Sequence, residues 1–144
     1  MERKTFIKAC GFACLGGGAM FASMLEGCSG SKIIAGTIVS SDLVVPEAAF
    51  VHDKNSFRKY VVVQHDTLKY PVCVYRFSET EYTALLMRCT HQGAELQVFG
   101  DRLECPAHNS QFDNKGQVKN GPADTNLRTF PVTVKNNQIY ISLK

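Results

Sequence analysis

The chain has 144 residues, 16 Lys+Arg against 13 Asp+Glu, a formal net charge of +3, and 44% hydrophobic against 20% charged residues. This is one domain's worth of sequence with the composition of a packed core, and it is expected to exclude a self-contained multi-domain enzyme. No basic stripe with interleaved aromatics appears, so no nucleic-acid partner is expected, and no phosphate-loop or dinucleotide glycine motif occurs.

Arg3, Lys4 and Lys8 make a basic start, followed by 17 uncharged residues from Ala9 to Leu25. A membrane span needs about 20 apolar residues. The shorter stretch contains Gly11, Gly16, Gly17 and Gly18. It reads as a cleaved export signal, with a retained anchor helix as the alternative. Leu25-Glu26-Gly27-Cys28 resembles the lipobox of bacterial lipoproteins, although Glu26 is an unusual occupant of its second position. The resemblance implies a signal over residues 1–27, lipid on Cys28 and a short linker over residues 28–32. Arg3-Lys4-Thr5-Phe6-Ile7-Lys8 also resembles a twin-arginine signal, with Lys4 in place of the second arginine. Either route places the mature domain outside the cytoplasm, on the periplasmic side of a bacterial membrane.

From residue 33 to 144 the chain reads as short β segments. Ile33 to Ser41, Leu43 to Val45, Tyr60 to Val63, Val72 to Tyr75 and Tyr82 to Met87 carry strand-like runs. Val132 to Val134 and Ile139 to Ile141 close the chain around a tight turn at Asn136-Asn137. Phe99 to Arg102 and Asp113 to Gly116 read as two further hairpin turns. No sustained helical period follows Cys28, and the pattern predicts an all-β sandwich or small barrel. Cys73, between two valines, is expected to be a buried core thiol. His52 and His65 are expected at the surface.

Two motifs carry chemistry: Cys89-Thr90-His91 and Cys105-Pro106-Ala107-His108, with 13 residues between His91 and Cys105. Each follows a strand-like run. A hairpin over Leu96 to Leu103 would set the two loops side by side, converging two thiolates and two imidazoles. Cys and His together suit zinc or iron–sulfur. A structural zinc site mostly presents its ligands in like pairs, whereas here each loop offers one Cys and one His. A binuclear [2Fe–2S] centre can use that arrangement, with both thiolates on one iron and both imidazoles on the other. No helix start or orienting carboxylate is evident to activate either thiol as a nucleophile.

The sequence resembles the Rieske iron–sulfur proteins. The matching residues are Cys89-Thr90-His91-Gln92-Gly93-Ala94, Cys105 through Asp113, and Gly121-Pro122-Ala123, within a resemblance covering roughly Tyr60 to Leu143. It implies an antiparallel β-sandwich with a small cluster-binding subdomain and one [2Fe–2S] cluster per chain. Cys89 and Cys105 would bind the inner iron, and His91 and His108 the outer iron near the surface. Ser110 matches a serine that hydrogen-bonds a bridging sulfide, and Pro122 a proline that shields the cluster. Ala94 and Ala107 stand where high-potential relatives have a disulfide. Phe112 stands where they have a tyrosine bonded to a ligand sulfur. Asn109 replaces the usual glycine after the second histidine.

Two thiolates cancel the charge of an oxidised Fe2S2 core, so such a centre accepts an electron more easily than a four-thiolate ferredoxin. Rieske centres span roughly −150 to +300 mV, against about −400 mV for plant-type ferredoxins. Without the tyrosine-type donor an intermediate potential is expected. The resemblance implies an electron carrier or subunit, with no catalytic residues of its own. The partner would be a cytochrome, a quinol-oxidising membrane subunit or the large subunit of a periplasmic oxidoreductase. A ring-hydroxylating oxygenase is disfavoured by length and by export. A zinc-stabilised, non-redox lipoprotein is the alternative from another class.

Overall fold

The computed structural model describes residues 30–144. The export signal and the Cys28 lipidation site expected from the sequence lie outside the described residues. Among the described residues, Ser31–Lys144 form one compact unit. No helix in them is long and apolar enough to cross a membrane.

The described chain is almost entirely β. Strands run Ile33–Ala35 (β1), Thr37–Val39 (β2), Asp42–Pro46 (β3), Val51–Asp53 (β4), Ser56–Phe57 (β5), Tyr60–Gln64 (β6), Val72–Arg76 (β7) and Tyr82–Leu86 (β8). They continue as Gln97–Phe99 (β9), Arg102–Glu104 (β10), Gln111–Asp113 (β11), Val118–Asn120 (β12), Thr129–Phe130 (β13), Val132–Lys135 (β14) and Gln138–Ser142 (β15). One 3-10 turn, Glu47–Phe50, interrupts them. A five-stranded sheet has the order β1-β6-β7-β8-β13, and a four-stranded sheet the order β14-β15-β3-β2. A second four-stranded sheet, β12-β11-β10-β9, carries the two loops of interest.

Side chains on a strand alternate between faces, and the five-stranded sheet is buried on both. Val61, Val63, Val72, Val74 and Ala84 join one core with Leu43, Val45, Phe50, Ile139 and Ile141. Val62, Cys73, Tyr75 and Leu85 join a second core with Leu96, Leu103 and Phe112. This is why Val61-Val62-Val63 reads as an unbroken apolar run. A strand covered on both sides needs no polar face. The central sheet is therefore the platform to which the loop-bearing sheet is fixed.

The stretch from Ile33 to Ser41 is two strands rather than one. β1 pairs with β6, and β2 with β3. Gly36 sits at the break, where a Cβ would lie 2.5 Å from Leu43 Cδ1 and 2.8 Å from Val63 Cγ1. The β1–β6 pair is parallel, and the other named strand pairs among the described residues are antiparallel, as the resemblance implies for the fold as a whole. The three turns read from sequence are present. Asn136 and Asn137 have φ of 52° and 57°, the left-handed pair that a two-residue hairpin needs.

Candidate metal centre

The first loop begins where β8 ends. Met87 is buried, Arg88 and Glu95 form an antiparallel bridge, and the bridge closes residues 89–94 into a tight loop. The β9–β10 hairpin then crosses and returns at Cys105, with Glu104 opposite Gln97. The second loop, residues 105–110, leads into β11. The hairpin expected between the motifs thus exists and brings both loops to one end of the sheet.

The two loops share one backbone pattern. The Cys89 N–H donates to Ala94 O at 2.8 Å, and Gly93 N–H donates to Cys89 O at 2.9 Å. Likewise Cys105 N–H donates to Ser110 O at 2.8 Å, and Asn109 N–H to Cys105 O at 2.9 Å. The fifth residue of each loop is left-handed, Gly93 at φ +78° and Asn109 at φ +63°. Asn is among the few residues that adopt this conformation readily. The departure from glycine at position 109 is therefore compatible with the loop.

Cys89 and Cys105 are buried, at 1% and 2% exposure, and neither is in a disulfide. His91 and His108 are exposed, with ring centroids 5.1 Å apart and planes at 85°. Each loop thus sends its thiol inward and leaves its imidazole at the surface. Ser110 is completely buried, and its Oγ accepts the Ala123 N–H at 3.0 Å. The serine proton remains free to donate.

The end of β12 and the segment after it join both loops. Thr90 Oγ1 donates to Thr125 O at 2.6 Å, and Asn120 Nδ2 approaches Asn109 O at 3.5 Å. Pro122 follows a cis peptide and is itself exposed. The Tyr70 hydroxyl donates to Gly93 O at 2.8 Å. The Arg88 guanidinium lies over the Gly93 α-carbon, so a Cβ there would be 3.1 Å from Arg88 Nε.

Sequence reasoning picked out Cys89, His91, Cys105, His108, Ser110 and Pro122, and the folded chain brings their loops together. It missed Tyr70, Arg88 and Asn120 and gave Thr90 no role. Tyr70 is 23 residues from its acceptor, and no local pattern marks such a pairing. Cys73 is fully buried as expected, and burial pushes its thiol well above the usual range. His52 is exposed, but His65 is only half-exposed, with Nδ1 2.8 Å from the Thr67 hydroxyl.

The donor set fits a [2Fe–2S] cluster: two free, buried thiols, two surface imidazoles and a buried hydroxyl with its proton available. Among the described residues, no three His, Cys, Asp or Glu stand together in single-ion geometry. A binuclear centre asks for only two protein ligands on each iron.

Comparison with known proteins agrees with this chemistry. The model of the Rieske [2Fe–2S] domain family matches residues 47–131. A cytochrome b6-f complex iron-sulfur subunit 2 of Nostoc sp. strain PCC 7120 is 35% identical over 60 residues, covering 40% of this chain and 34% of that protein. The oxygenase component of dicamba O-demethylase from Stenotrophomonas maltophilia is 33% identical over 81 residues, 49% of this chain and 24% of that protein. The chain thus spans about a third or less of the length of these curated relatives. The crystal structure of the cyanobacterial plasma membrane Rieske protein PetC3 from Synechocystis PCC 6803 superposes with a TM-score of 0.51 at 27% identity. That match covers 59% of this chain and 87% of that one.

Proposed function

Because the chain belongs to the Rieske [2Fe–2S] domain family, we propose that Cys89, His91, Cys105 and His108 hold its cluster and that it carries electrons at a membrane surface outside the cytoplasm. The observation that carries the ligand assignment is the matched pair of loops, each giving one buried thiol and one exposed imidazole. Bound there, a Rieske cluster supplies reversible one-electron transfer.

The chain's own groups divide the work. Cys89 and Cys105 would supply two sulfur ligands from a buried position. His91 and His108 stand at the surface, where a partner protein can come close to them. The buried Ser110 hydroxyl, its proton free to donate, would stabilise negative charge gained on reduction. Thr90, Ser110 and Asn120 fix the segment around Pro122 to both loops, which would limit water near the metal.

The electrons pass to or from a partner protein. The leading candidates are a cytochrome and a quinol-oxidising membrane subunit, with the large subunit of a periplasmic oxidoreductase as the second possibility. Lipid on Cys28 would hold the domain at the membrane. The linker from Ser29 to Lys32 reaches on the order of 15 Å at about 3.5 Å per residue, so the partner would sit close to the bilayer.

Two measurements test this reading. The purified full chain is assayed for iron, acid-labile sulfide and zinc, and its EPR spectrum is recorded after mild reduction. Equal iron and sulfide with a rhombic Rieske-type signal is the expected result. Zinc with no signal would replace the reading with a zinc-stabilised lipoprotein. Membrane fractionation of the Cys28→Ala variant tests the anchor: the variant is expected in the soluble fraction, and retention in the membrane would remove the lipid tether.

A further inference from the structure

In each candidate loop one carbonyl meets a side chain from elsewhere in the chain, and for the first loop that side chain is Tyr70, 23 residues away. Gly93 and Asn109 occupy the same place, four residues after their cysteines, with the same left-handed backbone. In both, the N–H is spent on the cysteine carbonyl. The Gly93 carbonyl accepts the Tyr70 hydroxyl at 2.8 Å, and the Asn109 carbonyl faces Asn120 Nδ2 at 3.5 Å. The first is a full hydrogen bond. The second is at the limit of one.

A trans peptide is planar, and its C=O and N–H point in opposite directions. Fixing the Gly93 oxygen on Tyr70 therefore turns the Ala94 N–H away from Tyr70. That N–H has no backbone acceptor among the described residues. The peptide on its other side is fixed as well, because Ala94 O accepts the Cys89 N–H at 2.8 Å. Tyr70 is in turn held on the platform. It lies in the loop between β6 and β7, next to buried Pro71, whose carbonyl accepts the Met87 N–H at 2.9 Å. The Arg88 guanidinium stands 5.8 Å from the Tyr70 ring centroid and covers Gly93.

We propose that Tyr70 is a positioning residue: by holding the Gly93 carbonyl, it turns the Ala94 N–H toward the sulfurs of the bound cluster. The inference rests on the ligand assignment proposed above. A carbonyl that accepts a hydrogen bond also polarises its own amide, so the same contact strengthens the N–H as a donor. Donors to the sulfurs favour the reduced, more negative state. Tyr70 thus raises the reduction potential without touching the metal.

The test uses full-length protein loaded with its cluster. Tyr70→Phe removes only the hydroxyl. It is expected to lower the midpoint potential, with a several-fold smaller equilibrium constant for reduction by a fixed donor, and to speed hydrogen exchange at the Ala94 amide. Replacing Tyr70 by 3-fluorotyrosine, measured at mildly acidic pH where its phenol stays protonated, keeps the ring and makes the hydroxyl a stronger donor, so it should shift the potential upward. Tyr60→Phe removes the hydroxyl that lies 3.1 Å from Ser31 Oγ, and it should move neither readout. Unchanged potential and unchanged Ala94 exchange in both Tyr70 variants would overturn the proposal while leaving the parent's EPR signal, and so the ligand assignment, intact. Equal shifts in Tyr60→Phe would overturn it too, because they would show a general packing effect. Absence of the EPR signal in the parent would overturn both.

Discussion

Ser110 Oγ accepts the Ala123 N–H at 3.0 Å within a side-chain environment that admits no solvent. The contact joins the second cysteine loop to the segment carrying Pro122. Ser110→Ala removes the acceptor and leaves a buried N–H unpaired, a loss of about 1–3 kcal/mol. It also removes the buried hydroxyl proton available to the cluster. The variant is expected to unfold at lower denaturant concentration and to have a lower midpoint potential. A lower stability with an unchanged potential would confine Ser110 to the Ala123 contact.

Phe112 is fully buried and shares a packed cluster with Cys89, Cys105 and Leu103. Phe112→Tyr adds one hydroxyl at the edge of its ring. A buried tyrosine hydroxyl finds a partner or costs stability. If the partner is a ligand sulfur, the reduced state gains a donor and the midpoint potential rises with stability retained. A destabilised protein with the parent potential would show that the hydroxyl does not reach sulfur.

Asn109 holds φ +63° in the turn that delivers His108. Alanine there would meet the left-handed penalty of about 1–2 kcal/mol, whereas glycine carries none. Asn109→Ala is expected to lower the melting temperature and cluster retention. Asn109→Gly is expected to match or exceed the parent. Thermal unfolding monitored by visible absorbance reads both at once.

Asp113 fixes the turn between β11 and β12. Partial burial pushes its carboxyl up, but the N–H groups of Gln117 and Lys115 and the Lys119 ammonium outweigh burial and hold it below the usual range. Its Oδ1 accepts both N–H groups at 2.9 Å, and Oδ2 lies 3.1 Å from Lys119 Nζ. A carboxyl with a lowered folded pKa stabilises the fold fully above its unfolded pKa of about 3.9. The contribution is lost as pH falls through the lower folded value. Asp113→Asn should therefore be less stable than the parent at pH 7, with the gap closing in strong acid. A gap independent of pH between 7 and 2 would show that the carboxylate charge plays no part.

The ligand motifs, the three hairpin turns and the burial of Cys73 were legible before any fold was known. Each is a local property. A thiol and an imidazole two or three residues apart, a pair of asparagines between β runs, or a cysteine between valines needs no distant partner to be recognised. Even the replacement of glycine by Asn109 is locally interpretable, because one backbone conformation admits both residues. The Rieske resemblance rested on the same kind of local spacing.

Other features depended on contacts between distant segments. Ile33 to Ser41 divides at Gly36 between two pairing partners, β6 and β3, and Leu43 and Val63 leave no room for a side chain at the junction. β1 takes the edge of the five-stranded sheet beside β6, in parallel, although β6 lies more than 20 residues further along the chain. The triple valine of β6 is buried on both sides only because two other sheets cover the platform. Tyr70 reaches Gly93, and Thr90 reaches Thr125, across 23 and 35 residues. The sequence by itself determined which thiols and imidazoles the two loops carry, through residue type and short spacing. Only the tertiary structure decided how those loops are held, because a hydroxyl's partner across a folded core leaves no periodic trace in the chain.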